Sequence, residues 1–197
     1  MKIYDISQEL FTCAVFPGDP APQRQILAVI GEDTPYNLTA FSMCAHNGTH
    51  IDAPYHFLSS GKTIDQLSLH KTVGPAYVAE HKGTVTAEDA AAILHRAALA
   101  DKEASKRILI KGKATVSQEA ATVFAEAKID LIGNESQTVG PEDAPMAVHL
   151  TLLGADVVLL EGIRLQAVPE GVYLLSAAPL LLGGGDGSPC RAILMEL

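Results

Sequence analysis

Residues 46–56, His46-Asn47-Gly48-Thr49-His50-Ile51-Asp52-Ala53-Pro54-Tyr55-His56, hold three of the chain's seven histidines and one carboxylate. Imidazole nitrogens combined with a carboxylate oxygen suit zinc, manganese or iron, whereas calcium and magnesium prefer oxygen-only shells. Two histidines and one aspartate from a single segment bind a divalent ion and leave a position open for water, as catalysis requires. Positions 46, 50, 52 and 56 share parity, so an extended chain points all four side chains to one face. A helix would also bring 46 and 50 together, but Gly48, Thr49 and Pro54 disfavour it. Asn47 stands where the His-Glu-x-x-His signature of a zinc protease needs its glutamate. The plainer reading, a solvated loop that is rich in histidine, fits less well, because Gly48 and Pro54 restrict backbone shape.

The elements that must position this segment follow from periodicity and turn chemistry. Residues 23–30 and 36–43 carry β-type residues around a turn cluster at 31–35, and residues 16–20 form an earlier surface turn. Thr86 with Asp89 three residues on has the form of a helix start, and 90–99 continue it with strong helix formers. Residues 107–110 read as a buried strand, 117–127 as a second helix and 129–132 as a second buried strand, followed by a polar loop at 133–138. A third helix is expected at about 145–153, stopped by Gly154. A strand follows at 157–160, then a flexible glycine turn at 183–187, then a last strand at 191–197. Alternating strands and helices predict an α/β fold whose sheet, given the strand-rich start, is mixed. The glycine turn has neither the Gly-Lys-Ser/Thr of a phosphate loop nor a Gly-x-Gly-x-x-Gly at a helix start, so a plain turn is expected.

Composition bounds the answer. A chain of 197 residues is expected to form one domain, residues 1–197, with a single sizeable core. Its net charge of -9 argues against a nucleic-acid partner, which wants a basic face. No run approaches the ~20 apolar residues of a membrane span, and the N-terminus has no signal-peptide pattern, so a cytoplasmic protein is expected. Cys13, Cys44 and Cys190 are odd in number and form no Cys-x-x-Cys, so they are expected to be incidental thiols rather than a disulfide framework or zinc knuckle. His70, His81 and His95 stand alone in polar or helical surroundings and are expected to be solvent-exposed.

The pattern His46-x-Gly48-Thr49-His50-x-Asp52-x-Pro54-x-His56 resembles the signature of the cyclase-like metal-dependent hydrolases, which include bacterial kynurenine formamidases (arylformamidases) and isatin hydrolases. The likeness runs along nearly the whole chain: residues 16–20 are similar to the family's early loop, and Gly74-Pro75-Ala76 and Gly187-Ser188-Pro189-x-Arg191-Ala192 to later stretches. The resemblance implies a swivelling β/β/α fold, homodimers or homotetramers, a small-molecule substrate and two divalent ions per subunit, zinc first and manganese second. It implies that His46, His50 and Asp52 bind the first ion, that Asp52 bridges to a second held with His149 and Glu161, and that His56 is the general acid/base. His149 lies in an otherwise apolar helix, so it should face inward. Glu161 ends an apolar strand, where a buried carboxylate needs a cation partner and where α/β folds place their sites. Three positions depart from the family. Phe16 stands where the formamidases carry a substrate-bordering Trp, Asn134 where an Asp is frequent after the glycine, and Gly162-Ile163 where Asn-Leu is common.

The expected reaction is hydrolysis of an amide-type C–N bond, in N-formylkynurenine or a related small amide or lactam, by water activated on the metal. The alternatives are a non-catalytic metal or small-ligand binding protein on the same fold, which would have no need of His56, and a metal-free α/β enzyme acting on carbohydrate or nucleotide.

Overall fold

The computed structural model describes residues 1–196. In chain order the strands are β1 (Ile3–Asp5), β2 (Gln23–Ala28), β3 (Leu38–Ser42), β4 (His50–Asp52), β5 (Val73–Glu80), β6 (Gly83–Val85) and β7 (Arg107–Lys111). They continue as β8 (Ala114–Val116), β9 (Leu131–Asn134), β10 (Val158–Glu161), β11 (Gly171–Ser176), β12 (Gly187–Pro189) and β13 (Ile193–Met195). Three α-helices lie between them: α1 (Ala87–Ala100), α2 (Gln118–Glu126) and α3 (Met146–Gly154). Nine strands form one mixed sheet in the order β1-β13-β11-β5-β7-β9-β10-β4-β12, parallel from β5 to β10 and antiparallel on either side.

The apolar runs of the parallel strands are continuous because both sheet faces are covered. Ile108 and Ile110 of β7 join the core beneath the helices with Ile93, Phe124 and Leu152. Leu109, between them, points the other way and packs with Ile51, Leu131, Leu160, Leu175 and Leu194. Strands from both ends of the order contribute to this second core, so the sheet curls around it. Helix α1 begins where expected, on a reciprocal cap in which Thr86 Oγ1 accepts from Asp89 N–H at 3.2 Å and Asp89 Oδ2 accepts from Thr86 N–H at 2.9 Å. Ser117 caps α2 in one direction only, its Oγ accepting from Ala120 N–H at 3.2 Å.

Several boundaries differ from the sequence reading, each for a local reason. The strand expected at 129–132 is β9, displaced to include Gly133 and Asn134: Lys128 turns the chain at φ 52°, and the two polar-looking residues are buried in the ladder. Gly154 does not stop α3 but ends it as its last helical residue, and Asp156, at φ 62°, makes the reversal. The histidine segment is not one extended strand. Only His50–Asp52 are in the ladder, while His46 lies in a turn and His56 in the 3-10 turn Pro54–His56, which Pro54 starts rather than prevents. The glycine turn runs directly into β12, which pairs with β4. His70 and His95 are exposed as expected, but His81 is half-buried, with Nε2 3.1 Å from Thr84 O. The last strand is shortened to β13, and Leu197 lies outside the described residues.

Candidate metal centre

Sheet register builds the first part of the site. Strands β4 and β10 are antiparallel, with Glu161 opposite His50 and Leu159 opposite Asp52, and residues opposite one another share a face. Leu159 packs in the core beneath the helices, so Glu161, two residues on, also faces the helical layer, as do His50 and Asp52. Helix α3 crosses from β9 to β10 over this face and lowers His149 into it, while Met146 and Leu150 stay exposed. His46 is delivered by a turn closed on the Asn47 side chain, whose Oδ1 accepts from Cys44 N–H at 2.9 Å. The ring of His56 stacks on that of His46 with centroids 4.0 Å apart.

The five candidate ligands converge. His50 Nε2 lies 3.4 Å from Asp52 Oδ1 and 3.4 Å from Glu161 Oε2, and His149 Nε2 lies 3.3 Å from Glu161 Oε1 and 3.6 Å from Asp52 Oδ2. His46 Nδ1 lies 2.8 Å from Asp52 Oδ1. Two backbone carbonyls fix the histidines from behind: Gly48 O is 3.0 Å from His50 Nδ1 and Pro145 O is 2.9 Å from His149 Nδ1. A carbonyl only accepts, so each Nδ1 carries a hydrogen, and each Nε2 is the nitrogen that faces the carboxylates and would offer its lone pair to a cation. Three three-donor groups result: His46/His50/Asp52 and Asp52/His149/Glu161, which share Asp52, and the half-buried His46/His56/Asp186.

Electrostatics fit a cation. Asp52 and Glu161 are almost fully buried, and Asp52 Oδ2 has no hydrogen-bond partner at all. An orphaned buried carboxylate oxygen is costly unless positive charge faces it. Among the protein groups alone, that charge comes from protons on histidine. Burial pushes the His46 and His50 imidazoles down, but hydrogen bonds and charge from Asp52, with Asp186 or Glu161, outweigh it and raise them to about 9 and about 10. Asp52 is pushed up by burial and, more strongly, held well below the usual carboxylate range by His46 and His50. His56 moves the other way, because burial outweighs the Asp52 charge and keeps it neutral at pH 7. A buried set of imidazole and carboxylate donors of this kind suits a transition-metal ion such as zinc or manganese.

A cavity of about 270 Å³ opens over the centre, lined by Phe16, Asp19, His56, Phe57, Thr138 and Pro145 together with four of the candidate ligands. Phe16 thus borders the space where the sequence placed it. A larger groove of about 590 Å³, bordered by Phe41, Cys190 and Arg191, touches none of the candidate ligands, so chemistry rather than volume identifies the site. The Gly162 departure has a simple basis: φ is 70°, the left-handed region that glycine or asparagine adopts. Asn134 donates to Ala114 O and Thr138 O at 3.2 and 3.1 Å and is a buried brace rather than a lost charge at the centre.

Sequence reasoning missed Asp186, whose Oδ2 lies 3.0 Å from His46 Nε2 and 3.5 Å from His56 Nδ1. The available signal was a single carboxylate inside a glycine run next to the family-like residues 187–192. It also missed Gln137, which donates to Gly48 O at 3.0 Å, and Thr138, whose buried hydroxyl has no partner.

Comparison with known proteins agrees with this geometry. The "Putative cyclase" family model matches residues 4–141. A kynurenine formamidase of Salinibacter ruber is 33% identical over 212 residues, covering 100% of this chain and 98% of that one. A second, from Sphingopyxis alaskensis, is 33% identical over 213 residues, covering 100% and 99%. Among solved structures, a potential metal-dependent hydrolase with cyclase activity superposes with a TM-score of 0.81 at 28% identity, covering 98% of this chain and 96% of that one. Isatin hydrolase A from Labrenzia aggregata reaches a TM-score of 0.81 at 21% identity, covering 98% and 93%, a likeness of fold alone. Matched in sequence from end to end by these relatives, the chain belongs to the cyclase family of metal-dependent hydrolases.

Proposed function

We propose that the protein is a metal-dependent amide hydrolase that cleaves a non-peptide C–N bond in a small arylformamide such as N-formylkynurenine, or in a related amide or lactam. The observation that carries this reading is the convergence of His46, His50, Asp52, His149 and Glu161 beneath a small cavity with the His56 ring at its wall. Identity of 33% to kynurenine formamidases over the whole chain supports the bond type. The sharing of Asp52 between two donor groups supports two ions bridged by that residue, and the His/Asp/Glu set favours zinc, with manganese second. A bound divalent ion supplies a lowered water pKa, to about 7, and polarises a carbonyl.

The chain's own residues do the rest. Phe16 and Phe57 offer apolar walls to an aryl group, and the limited cavity volume favours a small substrate. His56, neutral at pH 7, accepts a proton as water oxygen adds to the carbonyl carbon. It returns that proton to the nitrogen as the C–N bond breaks, which releases an amine and a carboxylic acid. The pair Asp52 and Glu161 keeps negative charge beside the reacting carbonyl, which is tolerable only with cations present.

The reading extends to assembly and location. Strands β2 and β3 pair only with one another, and together with the loop that joins them they expose Ile26, Leu27, Val29, Ile30, Leu38 and Phe41. A lone two-stranded hairpin is marginal in water, so a second copy covering this arm supports a homodimer or a homotetramer. A single domain over residues 1–197 is supported by the pairing of β1 with β13. No helix among the described residues is long and apolar enough to cross a membrane. Three free thiols fit a reducing cytoplasm. The test is a zinc- or manganese-reconstituted assay on N-formylkynurenine, isatin and simple formamides, with metal content measured in parallel. Stoichiometric metal with no turnover of any amide would leave only a binding protein.

A further inference from the structure

The glycine-rich segment before β12 is not a free turn. Gly185 O accepts from Ile64 N–H at 2.8 Å, Asp186 O accepts from Ala53 N–H at 3.0 Å, and Gly184 N–H donates to Asp65 Oδ1 at 3.0 Å. These bonds tie the segment to the chain on both sides of the 3-10 turn that bears His56. Gly187 then pairs opposite Asp52, and a Cβ built on it would meet His46 Cε1 at 2.6 Å. The His46 ring therefore lies directly on the Gly187 backbone, in space that exists only because position 187 has no side chain. One carboxylate reaches the edges of both this ring and the His56 ring stacked on it.

We propose that Asp186 is a positioning residue of the centre, whose carboxylate fixes the orientation and the hydrogen-bearing nitrogen of both His46 and His56. Its Oδ2 lies 3.0 Å from His46 Nε2 and 3.5 Å from His56 Nδ1. An ionised carboxylate only accepts, so His46 Nε2 carries hydrogen, and the longer 3.5 Å approach to His56 favours hydrogen on Nδ1 through the charge of Asp186 rather than through a formed hydrogen bond. Asp52 accepts as well, so in the metal-free protein His46 Nδ1 also carries hydrogen, 2.8 Å from Asp52 Oδ1; with the Nε2 hydrogen held by Asp186, Nδ1 is the nitrogen that would exchange its proton for a cation. Hydrogen on His56 Nδ1 leaves Nε2, at the opposite edge of the ring, as the nitrogen that exchanges a proton with substrate. One side chain thus sets a ligand histidine and a proton-carrying histidine together, across 140 residues of sequence. Asp186 also completes a three-donor group with His46 and His56, but that group is only half-buried and Asp186 is half-exposed, unlike Asp52 and Glu161, which suits a residue that holds ligands better than one that binds the ion.

The inference rests on the proposed roles of His46 and His56, and its test separates the two. Ring-nitrogen NMR of the metal-free protein, labelled with 15N-histidine, reads the tautomer of neutral His56 without any turnover. The expected result is hydrogen on Nδ1 in the parent protein. In Asp186→Asn, nearly the same shape but offering an N–H in place of one acceptor oxygen, hydrogen should move to Nε2, and in Asp186→Ala the two forms should mix. Zinc affinity by chelator competition should fall about 10–100-fold in both variants. In the loaded enzyme kcat should fall about 10²-fold through loss of alignment, with KM little changed. Hydrogen on His56 Nε2 in the parent overturns the proposal, as do an unmoved tautomer and zinc affinity in both variants, or a metal-loaded crystal with an Asp186 oxygen at about 2.0–2.2 Å from an ion. A tautomer and an affinity that respond to Asp186, in a parent protein that hydrolyses no amide, would refute the proposed activity and uphold the positioning role.

Discussion

Gly162 directly follows the candidate ligand Glu161 with φ at 70°, and its surroundings leave no room for a side chain. A Cβ there would overlap the carbonyl oxygen of Gly48 and Nε2 of Gln137, and would come within 2.7 Å of Gln8 Nε2. Gly162→Ala therefore carries two costs: roughly 1–2 kcal/mol for a left-handed backbone and roughly 1–3 kcal/mol for overpacking. Their sum, about 2–5 kcal/mol, corresponds to a Tm lowered by roughly 4–20 °C at about 2–4 °C per kcal/mol for a chain of this size. The metal site should suffer as well. Gly48 O is the acceptor 3.0 Å from His50 Nδ1 and takes the Gln137 amide at 3.0 Å, so displacing it turns a candidate ligand. Loss of such a partner behind a ligand histidine lowers metal affinity about 10–100-fold. Thermal unfolding of the metal-free protein and zinc titration against a chromogenic chelator measure the two effects separately. A Gly162→Ala protein that melts with the parent and binds zinc with parental affinity would refute the packing argument and the role given to Gly48. Partial recovery in Gln137→Ala/Gly162→Ala, which removes one of the overlapping groups, would locate the cost in that contact.

Replacing His56 with Ala should leave metal stoichiometry and Tm close to parental and lower turnover by about 10²–10⁴-fold, read from metal content and steady-state rates on one preparation. Metal uptake should release protons, because His46 and His50 hold theirs to about 9 and about 10; calorimetry in buffers of different ionisation enthalpy counts them. The same shifts fix a sign. Both groups lie above their ordinary value of 6.5, so in the metal-free protein their stabilisation is complete below that pH and is lost as pH rises through 9 to 10, whereas zinc affinity rises over that window. The proposed homodimer or homotetramer predicts that Leu27→Glu with Phe41→Glu sediments as a monomer without unfolding, because both side chains are exposed on β2 and β3.

Much of the fold was legible because local and global signals coincide. Helix α1 combines a reciprocal cap at Thr86 and Asp89 with eight strong helix formers among residues 90–99, and β7 is centred on the apolar run 108–110. Where the structure departs, a residue that normally marks a turn sits inside a ladder. Gly133 and Asn134 look like a loop but complete β9, since the neighbouring strands need a narrow, polar-braced partner there. Strand β5 escaped for the same reason: Gly74 and Pro75 open an eight-residue strand whose pairing with β11 and β7 supplies what its own sequence does not advertise.

The centre divides along the same line, by sequence distance. His46, His50, Asp52 and His56 fall within eleven residues, so residue type and spacing suffice to find them. The reason offered by spacing, one extended strand, was nevertheless wrong: a turn, three strand residues and a 3-10 turn achieve the convergence. His149 and Glu161 were reachable because each is an anomaly in an apolar element, and burial of an unpaired polar group demands a partner. Asp186 presents no such anomaly. A carboxylate between glycines is an ordinary turn residue until β12 is laid beside β4, and only that register, Gly187 opposite Asp52, brings it to the two imidazoles. Residues that bind are betrayed by the cost of burying them, whereas a half-exposed residue that orients others carries no comparable cost and becomes visible only in three dimensions.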